Sequence, residues 1–141
     1  VIWSFYLEHL DLEAVKRILA ETFSIAVGQV DCATELIKLG CEPGSLGVVV
    51  WSNGGRFGTT VEIYAAHRKP LIDQLTLAKR IAAELPTSLL ISDETDKTYD
   101  ITRVILIQPD GQTTRARLDP TPLHNDEMYL LEHDVDEDAQ E

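Results

Sequence analysis

Two β-rich runs facing each other across a glycine-rich loop constrain this chain more than any other feature. Residues 46–51 (LGVVVW) centre on three consecutive Val, the composition of a strand buried on both faces. Residues 59–65 set Val61, Ile63 and Ala65 against Glu62 and Tyr64, the alternation of a strand with one dry and one wet face. The loop between them carries Gly54, Gly55 and Gly58 and is expected to turn the chain as a hairpin. Such a hairpin needs apolar cover, and the segments on either side have the patterns to supply it.

Residues 2–7 (IWSFYL) are β-branched and aromatic and read as a first strand. Asp11 is placed to cap a helix, with Glu13 favourable in its first turn. Leu12, Val15, Ile18, Leu19 and Phe23 then recur at helical spacing. Residues 24–30 are compatible with a short strand. Asp31 is expected to cap a second, shorter helix through Leu39, closed by Gly40 and Pro43.

Past the hairpin, Pro70 is expected at the first position of the best helix. Its stripe is Leu71, Leu75, Ala78, Ala82 and Leu85, widened by Ile72 and Ile81, and Pro86 ends it. Residues 88–92, 101–108 and 112–118 read as strands. The last two are joined by the turn Pro109-Asp110-Gly111, with Gly111 free to take positive φ. Pro120 and Pro122 mark the exit from the sheet, and residues 127–132 suit one helical turn or a last strand. The fold class expected is α+β: a mostly antiparallel mixed sheet of about five or six strands, with two main helices packed on one face. Residues 1–122 form a single domain on this reading, and residues 123–141 an acidic C-terminal tail.

Charge narrows the partners. The formal net charge is −12. Residues 1–118 hold 15 acids against 12 Lys and Arg, whereas residues 119–141 hold nine acids and neither Lys nor Arg. That field disfavours nucleic-acid phosphates and anionic membranes and attracts a basic partner. No apolar run approaches the roughly 18 residues that suggest a membrane span. Nor does a cationic start lead into an apolar stretch, so secretion is not indicated. With only Cys32 and Cys41, no disulfide framework is expected, and the default compartment is cytoplasmic.

The chemistry-bearing residues do not assemble into a known reaction. A phosphate-binding loop needs a Lys before its Ser or Thr and a helix behind it, but here Gly58 precedes Thr59 and a strand follows. Cys32 and Cys41 are nine apart, a spacing that matches no zinc site, and His124 and His133 sit in the acidic tail. Ser45, Ser52, Ser88 and Ser92 lack a nucleophile elbow, and His9 and His67 merely follow strands. Adjacent acids such as Asp93/Glu94 and Asp126/Glu127 are ordinarily solvated, and acid–base work requires one to be desolvated. The expectation is a protein that is not an enzyme, with no cofactor and no metal. If two or three of Trp3, Tyr6, Trp51, Phe57, Tyr64, Tyr99 and Tyr129 reach the surface beside acids, they would make a hot-spot surface. Arg56 and Phe57, at the loop tip, are further contact candidates.

Three stretches together carry a resemblance: GVVVWSNGGRFGTTVEIYA, LIDQLTLAKRIAAEL and SLLISDETDKTYDITRVILIQPDG. Over roughly residues 46–118 their order resembles the small α+β immunity proteins of bacterial polymorphic-toxin and contact-dependent inhibition systems. The resemblance implies a non-enzymatic protein that neutralises a cognate toxin domain, often a basic nuclease, by covering its active site or a neighbouring surface. On that implication the partner-binding surface is Asp93, Glu94, Asp96, Tyr99 and Asp100 with Glu62, Tyr64, Arg56 and Phe57; Asp126, Glu127 and Glu132 are a second choice. The alternative is a small-ligand-sensing or regulatory module, dimeric through its sheet, with a pocket between residues 71–85 and the sheet.

Overall fold

The computed structural model describes residues 3–33, 46–64, 70–93, 102–123 and 127–131. Strand β1 (Trp3–Leu7) leads into helix α1 (Leu12–Thr22) and a 3₁₀ turn (Val27–Gln29). Strands β2 (Val30–Ala33), β3 (Leu46–Ser52), β4 (Gly54–Gly55) and β5 (Thr59–Tyr64) follow. Helix α2 (Gln74–Glu84) precedes β6 (Leu89–Ser92), β7 (Arg103–Ile107) and β8 (Thr113–Arg117). A short helix α3 (Pro120–Leu123) and strand β9 (Glu127–Met128) complete the order.

The fold is α+β, built on a mixed seven-stranded sheet in the order β2-β3-β5-β1-β6-β7-β8. Within this sheet, among the described residues, β2–β3 is the one parallel pair. The two hairpins form as their local signals require: Ser52 pairs with Thr59, and Ile107 pairs with Thr113 around Gly111 at φ +91°. β1 enters between β5 and β6 and becomes the middle of the sheet.

Three expectations are corrected. Asp31 does not cap a helix; it lies in β2 opposite Gly47, because Val30 finds burial by extending the sheet beside β3. The rest of that expected helix, through Leu39, lies outside the described residues. This added strand brings the six expected to seven. Pro70 is not the first residue of α2, since Asp73 accepts a hydrogen bond from the Thr76 amide (2.8 Å) and caps a helix that starts at Gln74. Leu71 therefore falls ahead of the helix and is 69% exposed, its amide donating to the Thr22 carbonyl (3.0 Å). The face that α2 buries is Leu77, Ala78, Ile81 and Ala82.

α1 starts as expected, with the Asp11 side chain accepting from the Ala14 amide (3.2 Å). Its Val15, Ile18 and Leu19 join the α2 face on the same side of the sheet, against Phe5, Leu7, Val48, Val61, Ile63, Leu89, Ile91 and Ile107. Trp3 belongs to this side too, edge-on to Phe5 with ring centroids 6.4 Å apart. The helices are tied across their seam by charge. Arg17 reaches Glu84 (3.1 Å), and Arg80 pairs with Glu84 (2.6 Å) and with Glu21.

The opposite face has a smaller core: Phe57, Leu90, Val104, Ala116 and Leu118, backed by Tyr6, Leu106, Leu123, Met128 and Leu130. Its cover is the glycine loop and the C-terminal segment. The segment 127–131, expected to belong to a tail, is thus folded onto the sheet. It also closes the edge of β8, where the Leu131 amide donates to the Arg117 carbonyl (2.9 Å) and Leu118 bridges Leu130.

Two outcomes follow from this packing. Leu77 has no exposed surface, so Leu77→Ala should cost about 2–5 kcal/mol, read as a lower urea midpoint at unchanged slope. Hydrogen bonds from Arg80 and then Arg17, working against partial burial, hold the Glu84 carboxyl below its ordinary 4.5. A carboxylate depressed by folding stabilises fully above its unfolded value, and that contribution is lost as pH falls through the depressed one. Glu84→Gln should therefore destabilise at pH 7 by about 1 kcal/mol or less and converge with the parent below the carboxylate range, measured by urea unfolding across pH.

Candidate functional site

The register of the sheet lays a row of side chains across the face away from the helices. Trp51 of β3 pairs with Thr60 of β5, Thr60 with Tyr6 of β1, and Tyr6 with Leu90 of β6. Leu90 lies under the second core, but Trp51 lies beyond its cover and is 40% exposed. Where the cover stops, a cavity of about 460 Å³ opens. Tyr6, Trp51, Ser52, Asn53 and Thr60 form its floor and one wall; Leu123 and Met128 of the C-terminal segment form the other. Its size suits a ligand or an inserted side chain.

The wall is rigid because Asn53 locks the loop. Its side-chain amide donates to the carbonyls of Phe57 (2.6 Å) and Gly54 (3.1 Å), and its oxygen accepts from the Thr60 hydroxyl (2.7 Å). Its backbone amide donates to the Gly58 carbonyl (2.9 Å). β4 then pairs with β9 in parallel, Gly54 with Glu127 and Gly55 with Met128. A Cβ on Gly55 would lie 2.4 Å from the Met128 nitrogen, and its φ of +90° is one that side chains disfavour. The glycines make the hairpin connection, and beyond that they provide a seat for the C-terminal strand.

Glu62 lies next to the row, opposite Val49 of β3 and Ser4 of β1, and accepts a hydrogen bond from the Tyr64 hydroxyl (3.0 Å). Burial, and then the nearby Glu62 charge, push the Tyr6 phenol above its ordinary 10, with a Ser4 hydrogen bond opposing them. Partial burial and then Glu62 raise the Tyr64 phenol likewise. The field of Glu62 therefore extends into the cavity.

The expected contact residues separate into distinct environments. Glu62 and Tyr64 are half-buried on the open face beside the cavity. Phe57 is fully buried in the second core and offers no contact surface, because the loop folds back to let its ring fill the space under the C-terminal segment. Arg56 is exposed, pairs with Glu8 (2.9 Å) and lies over the Phe57 ring at 4.9 Å, outside the cavity. Asp93 is also no surface contact: its side chain is 2% exposed and accepts from the Arg115 Nε (3.1 Å), since the register of β6 to β8 places it beside arginines. Glu127 is half-buried in β9 against Gly54. Glu94, Asp96, Tyr99, Asp100, Asp126 and Glu132 lie outside the described residues. Tyr129, 45% exposed, joins Trp51 as a second aromatic at the surface.

The space expected for a pocket, between α2 and the sheet, is filled by Leu77, Ala78, Ile81 and Ala82. The cavity lies on the other face, and Trp51, Ser52, Asn53 and Thr60 were not expected to line one. Among the described residues, no group of three His, Cys, Asp or Glu is arranged to hold a metal ion. The thiol of Cys32 is pushed above its ordinary 9.0, chiefly by burial. Among the described residues no helix is long and apolar enough to cross a membrane. No family model, curated protein or solved structure matches the chain.

Gly55→Ala tests the seat. Strain and the clash with Met128 should destabilise by at least about 1–3 kcal/mol. The Leu131 and Asp119 amides, whose partners are the Arg117 and Tyr129 carbonyls, should lose hydrogen-exchange protection before the amides of β5 do.

Proposed function

We propose that the protein is a non-enzymatic immunity protein of the bacterial cytoplasm, which binds and neutralises a cognate toxin domain through the face of β3, β5 and β1. The observation that carries this reading is the exposed Trp51, which lines the cavity with Tyr6 on the same sheet face that bears Glu62 and Tyr64 further along β5. A large, rigid aromatic flanked by polar rims is the usual anchor of a protein interface. The charge of −12 favours a basic partner and speeds encounter with it, and salt would slow that encounter. The earlier surface is revised accordingly: Glu62 and Tyr64 stay in it, Trp51 and Tyr6 enter, and Asp93 and Phe57 leave.

The volume of the cavity also supports the second reading, a module that senses a small ligand on this same face. Coexpression with a panel of basic toxin domains separates the two. Protection of growth and a stable complex are expected for an immunity protein. Trp51→Ala with Glu62→Gln should weaken that complex by about tenfold or more. A protein that neither protects nor forms a complex at low salt, yet shifts its melting temperature with a metabolite, is a sensor.

A further inference from the structure

We propose that the cavity beside Trp51 is an acceptor for one arginine side chain, presented by the basic partner; this rests on the immunity reading and specifies its anchor. Among the described residues, none that lines the cavity carries a charge, and the nearest ionisable neighbour along β5 on that face is Glu62. Two positions along a strand correspond to about 7 Å, so Glu62 lies on the same face of β5 beyond Thr60, outside the lining itself. A cation entering there meets no like charge among the described lining residues.

The walls distinguish arginine from lysine. Trp51 presents an indole, the best aromatic platform for a cation. Tyr6 lines the same cavity across Thr60, and Thr60, which donates its proton to Asn53, keeps oxygen lone pairs to accept. A guanidinium is planar and carries five N–H donors, so it can stack and donate in several directions together; an ammonium is a compact point charge. Leu123 and Met128 give the methylene stem an apolar wall. The volume of about 460 Å³ admits the side chain with adjoining backbone.

The test uses the full chain and a capped Gly-Arg-Gly peptide, followed by amide and indole NMR shifts. Citrulline replaces arginine in the control peptide, which keeps the shape and removes the charge. Shifts are expected at the Trp51 indole and at Thr60 and Tyr6, with Trp3, packed against Phe5, unmoved. Citrulline should bind about fivefold more weakly or worse. Trp51→Ala should abolish the response and Trp51→Phe should retain part of it, which separates loss of the ring from loss of the fold. Glu62→Gln should weaken binding and flatten its salt dependence. Equal binding of the citrulline peptide, or shifts that avoid Trp51, would overturn the assignment. Toxin neutralisation undiminished in Trp51→Ala overturns the anchor and leaves the immunity reading standing. Arginine binding without any neutralisation overturns the immunity reading and leaves the acceptor standing.

Discussion

The backbone of Met128 approaches Gly55 to a distance that no side chain would permit, and the non-helical half of the molecule depends on that contact. A sheet with helices on one face leaves its other face to be covered or wetted. Here β7 and β8 carry Val104 and Ala116 on that other face, and β6 carries Leu90, all of which need burial. Among the described residues no second helical layer provides it. A loop and a short C-terminal strand do so, and they fit together only because two glycines let the backbones meet. The cover spans β6 to β8 and ends near β1. The cavity is the step at its edge, so its position follows from how far a short cover can reach.

The sequence was legible where structure is local. Asp11 and the spacing from Val15 to Leu19 gave α1, and Asp110-Gly111 gave the last turn. The Val-rich run and its alternating partner paired as a hairpin because few residues separate them. Legibility failed where partners are distant in sequence. Asp31 pairs with β3 rather than capping a helix, a choice made by a neighbouring edge that no window around Asp31 contains. Pro70 and Asp73 both signal a helix start, and the side-chain cap prevailed over the proline.

The site was hidden for the same reason. Trp51 opposite Thr60 follows from the hairpin alone, but Tyr6 opposite Thr60 requires knowing that β1 is central. Phe57 illustrates the converse: a tip residue by sequence, it is buried because residues some seventy positions later close over it. Polarity misled at Asp93 as well, where an apparent loop acid is neutralised under the sheet by an arginine from β8. Glu62 and Tyr64 were placed correctly because strand alternation alone decides which side they take.

The central position of β1 has a consequence for how the molecule is made. β1 leaves the ribosome before its partners β5 and β6, whose residues begin at Thr59 and Leu89. Until both have emerged, Phe5 and Leu7 have no sheet to bury them, and α1 has only a fragment of its floor. Closing such long loops before contacts reward it slows folding. The keystone is thus laid well before the strands that lock it, and β1 with α1 is the surface most in need of protection during synthesis.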